Sequence, residues 1–132
     1  MATLLVVDDD IHTLDVLTFS LGLEGHEVIR AADGRAAIRL AERVRPDAII
    51  LDVMMPLVDG FTATKRLRQM PAFASTPILL LTARATDADV WEGWRAGADS
   101  YVTKPLDVEV LHDELERLGI HSPDQPLAGA HR

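Results

Sequence analysis

Apolar and polar positions alternate between two patterns along the chain. Thr3–Val7, 48–51 and 78–81 are short apolar runs bounded by Asp or Pro, the signature of strands buried on both faces. Glu27–Ala31 and 99–103 read as two further strands. Helical spacing fills the gaps. Leu14, Leu17 and Leu21 recur at that spacing as far as Gly25, and a second helix runs from Asp33-Gly34 to about Val44 with Ala37, Ile38, Leu40 and Ala41. The pattern of Phe61, Ala63, Thr64 and Leu67 predicts a third helix over about 60–70, interrupted by Pro71. Thr86-x-x-Asp89 resembles a capping box, with Asp in place of the usual Glu, for a fourth helix that stops at Gly97. Asp107 caps a fifth, with Val108, Leu111, Leu115 and Leu118 expected inward. After Gly119 the periodicity ends.

Five strands alternating with five helices predict a doubly wound α/β fold, because parallel neighbours need crossovers and those crossovers are right-handed. The expected strand order is 2-1-3-4-5, with ligands beyond the carboxyl ends of the strands at the switch point between the first and third. One domain is expected over 1–119, followed by a tail or linker stub over 120–132. At 132 residues the chain is short for a receptor domain plus an effector.

Composition narrows the chemistry. With 48% hydrophobic and 26% charged residues, the chain is that of an ordinary globular protein. No cysteine means no disulfide framework and no thiolate chemistry, which suits a reducing cytoplasm. Neither a signal sequence nor a membrane span is visible, so a cytoplasmic protein with no membrane partner is expected. A net charge of −8 argues against direct nucleic-acid binding and favours a cationic partner, a bound metal or simple solubility.

The candidate site lies at the predicted strand ends. Asp8 and Asp9 end the first strand, Asp52 the third, Thr82 the fourth, and Lys104 follows the fifth. Two carboxylates about 4 Å apart repel by roughly 4 kcal/mol at an effective dielectric near 20. A cation, a raised pKa or wider separation has to relieve that repulsion. Oxygen ligands without His or Cys point to a hard ion, and Mg²⁺ would keep several waters and leave room for a phosphate. Flavodoxin-like cofactor binding is disfavoured, since Asp8-Asp9-Asp10 stands where a phosphate-cradling loop would be needed.

At these residues the chain closely resembles a known family. VVDD at 6–9, LDVMMPLVDG at 51–60, LTA at 81–83 and GADSYVTKP at 97–105 are similar to the receiver domain of two-component response regulators, over about residues 3–118. The resemblance implies a flavodoxin-like fold and a phosphoacceptor switch whose only chemistry is on itself. Asp52 would accept a phosphoryl group from the phosphohistidine of a histidine kinase or histidine phosphotransfer protein. Mg²⁺ would be held by Asp9, Asp52 and the backbone carbonyl of Met54, with Asp8 acting mainly through a metal-bound water. Thr82 and Lys104 would contact the phosphoryl oxygens, Tyr101 would be the rotameric switch, and Lys104-Pro105 would be cis. The family positions that tune phosphoryl lifetime are Met54 and Arg84 here. The output surface, for a downstream protein or a homodimer, would be the fourth helix, fifth strand and fifth helix. On that fourth helix Val90 and Trp94 fall at i, i+4 beside Tyr101 and are expected outward, with Trp91 turned toward the sheet.

Simpler or competing readings stand beside these. Asp10 reads as the cap of the first helix, and the five His have no ligand spacing. Asp8-x-Asp10 also resembles the nucleophile motif of haloacid-dehalogenase-type phosphatases, Mg²⁺ enzymes that would use Asp8 and Asp10. That alternative leaves Asp52 idle and lacks the family's later acidic pair.

Overall fold

The computed structural model describes residues 2–83 and 86–121; Arg84 and the tail from 122 onward fall outside the described residues. The strands are β1 (Thr3–Val7), β2 (Glu27–Ala31), β3 (Ala48–Asp52), β4 (Ile78–Thr82) and β5 (Ser100–Thr103). They alternate with α1 (Ile11–Leu23), α2 (Gly34–Val44), α3 (Gly60–Arg68), α4 (Asp87–Ala96) and α5 (Val108–Arg117), and a 3-10 turn spans Pro71–Phe73. All strand pairs are parallel and the order is β2-β1-β3-β4-β5, as the alternation predicts.

Strand periodicity divides the core into two layers. Along β3, Ile49 and Leu51 face one layer and Ala48 and Ile50 the other. The first layer is closed by Ala37 and Ala41 of α2, Phe61 and Leu67 of α3 and Ala96 of α4. The second is closed by Leu14, Leu17 and Leu21 of α1 and by Leu111 and Leu115 of α5. Every position of β3 and β4 is buried, which is why these two strands read as continuous apolar runs.

Each helix begins on a side-chain cap: Asp10, Asp33, Asp59, Thr86 and Asp107 accept backbone N–H groups of the first turn. Such a cap typically contributes about 1 kcal/mol over alanine. Since each helix follows the carboxyl end of a strand, the caps also fix how the chain leaves the edge where the site residues lie.

Some expectations need correction. Helix α3 ends at Arg68, not at 70, because Met70 precedes Pro71 and is extended at φ −90° and ψ 125°. The turn that follows buries Phe73 in the first layer. Strand β5 starts one residue later than expected, at Ser100. The Asp99 carboxylate instead accepts from Ile78 N–H at 2.9 Å and from Arg68 Nη2 at 2.7 Å. Val108 is exposed rather than inward, lying in the first turn of α5 ahead of the buried stripe; Leu118 is half-buried. Ile120 is buried, its N–H donating to the Leu115 carbonyl.

Arg68 acts as a staple that the sequence pattern does not reveal. Its guanidinium donates to the carbonyls of Phe73 and Thr76 at 2.7 Å each, to Gly97 O at 2.9 Å and to Asp99. One side chain thus joins α3, the 3-10 turn, the entry to β4 and the end of α4.

Candidate functional site

The carboxyl ends of β1, β3, β4 and β5 converge, and each brings one part of the site. Asp52 is the last residue of β3 and only 5% exposed, while Asp8, directly after β1, is 1% exposed. Asp9 is exposed. One oxygen from each of the three carboxylates lies within 4.8 Å of the others.

Lys104 reaches back from β5 into this cluster. Its ammonium donates to Asp8 Oδ2 at 2.9 Å and to Asp52 Oδ2 at 3.1 Å, placing one cation between two buried anions. The backbone fixes that reach, because the N–H of Lys104 donates to the Thr82 carbonyl at 2.8 Å. Thr82 itself is fully buried and pairs in register with Thr103. The Lys104-Pro105 bond is cis, as the family resemblance implies.

The loop after β3 is held against the strand end. Met54 N–H donates to Asp52 Oδ1 at 3.2 Å, and Gly60 N–H donates to Val53 O at 3.0 Å. A Cβ on Gly60 would collide with the backbone of Asp52 and Val53, so only glycine lets α3 start this close to the acceptor strand.

Electrostatics follow from this crowding. Burial pushes the Asp52 carboxyl above the ordinary carboxylate value; the Met54 N–H opposes this, the Asp8 charge adds to it, and Lys104 opposes it. For Lys104, burial disfavours the ammonium, but hydrogen bonds and charges from Asp8 and Asp52 outweigh it and leave the group above its ordinary value. The site therefore sets a carboxyl that burial raises beside a lysine whose ammonium its two carboxylate partners favour.

The donor set also fits a small hard cation. Octahedral Mg²⁺ with oxygens at about 2.0–2.1 Å sets neighbouring ligands roughly 3 Å apart, so carboxylate oxygens that already lie within 4.8 Å of one another have to close by no more than about 2 Å. Asp10 takes no part in this group: it accepts from His12 N–H at 3.1 Å and Thr13 Oγ1 at 3.0 Å as the cap of α1. The phosphatase-like pairing of Asp8 with Asp10 is therefore unsupported.

The other expected residues lie on β5 and α4. Tyr101 is half-buried, its ring so close to α4 that a Cβ on Gly93 would meet Cδ2 at 2.9 Å. Val90 is half-buried, and Trp94 is 49% exposed. Trp91 is 63% exposed and so does not turn toward the sheet; the buried face of α4 is Asp89, Gly93 and Ala96, which rotates Trp91 outward. It lines a groove of about 410 Å³ with Lys65, Ala88, Glu92 and Arg95, between α3 and α4.

Known proteins share this fold. The model of the response regulator receiver domain family matches residues 4–116. The chain is 39% identical over 131 residues to the DNA-binding dual master transcriptional regulator RpaA of Synechocystis sp., covering 99% of this chain and 54% of that protein. It spans about half the length of the curated transcriptional regulators it matches. The chemotaxis protein CheY4 of Vibrio cholerae superposes with a TM-score of 0.86 at 39% identity, covering 89% of this chain and 98% of that one. The receiver domain of the sensor histidine kinase PA1611 of Pseudomonas aeruginosa, solved with magnesium in its active-site cleft, superposes at 0.83 with 35% identity, covering 89% and 98%.

Proposed function

The chain belongs to the response regulator receiver domain family, and from that premise we propose that it is a Mg²⁺-dependent phosphoacceptor switch in which Asp52 is the acceptor. The observation that supports this most is the placement of Asp52: buried, at the end of the central strand, within reach of both Lys104 and the other two carboxylates. The donor is the phosphohistidine of a histidine kinase or a histidine phosphotransfer protein, met in the cytoplasm.

In the proposed reaction an Asp52 oxygen attacks phosphorus. The P–N bond breaks as the P–O bond forms, and the leaving imidazole keeps the electron pair and takes a proton. Asp9, Asp52 and the Met54 carbonyl would hold Mg²⁺, with Asp8 acting mainly through a metal-bound water, and the ion would neutralise the carboxylates and the incoming phosphoryl oxygens. Lys104 exchanges its contact with Asp52 for a phosphoryl oxygen, for which a compact ammonium is suited. Thr82 hydrogen-bonds another. The chain catalyses its own phosphorylation and dephosphorylation and turns over no separate substrate.

Readout runs through Tyr101. Phosphorylation adds negative charge beside Thr82, draws the hydroxyl inward and frees the half-buried Tyr101 ring to reposition against Gly93, which reshapes α4 and β5. Val90, Trp94 and Tyr101, continued by α5, form the surface for a downstream protein or a second copy. Phosphoramidate, a small P–N donor, tests both halves. With Mg²⁺ it should label the wild type and leave Asp52→Ala unlabelled, and beryllofluoride should shift the tryptophan emission of the wild type. Equal labelling of Asp52→Ala would refute the acceptor; unchanged emission would refute the readout surface.

A further inference from the structure

The two helices at opposite corners of the molecule carry matching charge stripes. On α2, Arg35, Arg39 and Arg43 recur at i, i+4 and i+8, all exposed. Each step advances about 6 Å along the helix and keeps the side chain on one face. None of the three has an ion pair or side-chain hydrogen bond among the described residues, although the chain holds 21 acidic residues to 13 Lys and Arg. Glu42, at i+3 from Arg39 on the edge of the same face, is the only acid within α2.

A complementary stripe lies on α5. Glu109, Asp113 and Glu116 recur at i, i+4 and i+7, Glu109 and Asp113 exposed and Glu116 half-buried, again with no side-chain partner among the described residues. Glu114, by contrast, is already engaged by Arg117 and Ser100.

Each stripe has an apolar flank. Ala36 and Leu40 lie half-buried beside the arginines, and Val110, 46% exposed, lies beside the acids. At about 100° per residue, the flank follows the stripe in the same rotational sense on both helices. Two such helices set face to face bring charge against charge and apolar against apolar only when antiparallel. Arg35 then meets Glu116, Arg39 meets Asp113 and Arg43 meets Glu109.

We propose that α2 of one molecule docks antiparallel on α5 of a second copy. Helix α2 packs over β1 and β2 in one core layer and α5 against β5 in the other, so the stripes point away from each other. One two-fold interface cannot satisfy both. The contact is heterologous, and repetition makes open head-to-tail chains instead of closed dimers. Because it occupies α5, this assembly competes with a partner bound at the output surface.

Sedimentation velocity of the full chain tests this. At about 0.1 M NaCl the weight-average coefficient should rise with concentration without a plateau at the dimer, and it should fall to the monomer value at about 1 M. Arg39→Glu and Asp113→Arg should each weaken association about fivefold. Combined in one chain they keep the wild-type net charge and should restore association, since the carboxylate introduced on α2 of one copy then faces the guanidinium introduced on α5 of the next. A wild type that stays monomeric at low salt, a plateau at the dimer, or a folded double variant no better than the singles would each overturn the proposal. So would a labelled single-stranded DNA that binds the wild type, is lost in Arg39→Glu and leaves the protein monomeric, since the stripe would then serve nucleic acid.

Discussion

The Nζ atom of Lys104 stands 3.1 Å from Oδ2 of Asp52, at the end of the central strand. Without that ammonium, which also bonds Asp8, two buried carboxylates would face each other uncompensated. Even with it, Asp52 is held above its ordinary value, first by burial.

That raised value carries a sign. Between the ordinary carboxylate value of 3.8 and its raised folded value, native Asp52 holds more proton than the unfolded chain does. Its contribution is therefore fully present below 3.8 and lost as pH rises through the folded value. Asp52→Asn, which removes the charge and keeps an acceptor for Lys104, should raise the metal-free melting temperature by a few degrees at neutral pH, with the gain shrinking toward pH 4. Thermal denaturation of both proteins in EDTA across that range checks it. A gain that grows on acidification would mean that ionised Asp52 stabilises the fold.

Magnesium should act in the same direction. Binding only to the folded cluster stabilises by mass action, about 2.7 kcal/mol at a hundredfold excess over Kd. Asp9 is exposed and makes no side-chain hydrogen bond among the described residues, so Asp9→Asn should raise metal-free stability slightly and abolish most of the Mg²⁺-induced shift. A lower metal-free melting temperature for Asp9→Asn would show a structural pairing instead.

The strand ends were legible because their carriers are short and distinctive. Apolar runs ending in Asp8-Asp9, Asp52 and Thr82 locate three corners of the site, and parallel topology brings them together. Helix rotation was harder to read. The i, i+3 spacing of Trp91 and Trp94 leaves open which one faces the sheet, and the buried trio of Asp89, Gly93 and Ala96, only one of them apolar with a side chain of any size, decides it. Arg68 left no trace in the pattern at all. Its partners are backbone carbonyls and an Asp 31 residues away, brought within reach only by tertiary folding.

Loss of that staple should be costly. Replacing Arg68 by Met leaves three carbonyls without that donor and strips the Asp99 carboxylate, 41% exposed, of its ion pair while the Ile78 N–H stays in place. Hydrogen bonds to charged groups contribute about 1.5–3 kcal/mol. Partial exposure of Asp99 lowers that for the ion pair itself, and a total near 3 kcal/mol in urea denaturation is expected. Arg68→Lys should rescue little, since one ammonium cannot span the carbonyls of Phe73, Thr76 and Gly97. Full rescue by Lys would show that charge alone matters there.

The central claim is that the phosphoryl group goes to Asp52 and not to another carboxylate of the cluster. Acetyl phosphate with Mg²⁺, followed by borohydride reduction and peptide mass mapping, reads the modified residue directly. Modification should be confined to Asp52, absent from Asp52→Ala and still directed to position 52 in Asp8→Ala at a reduced rate. Label that persists in Asp52→Ala and disappears in Asp8→Ala would contradict the account.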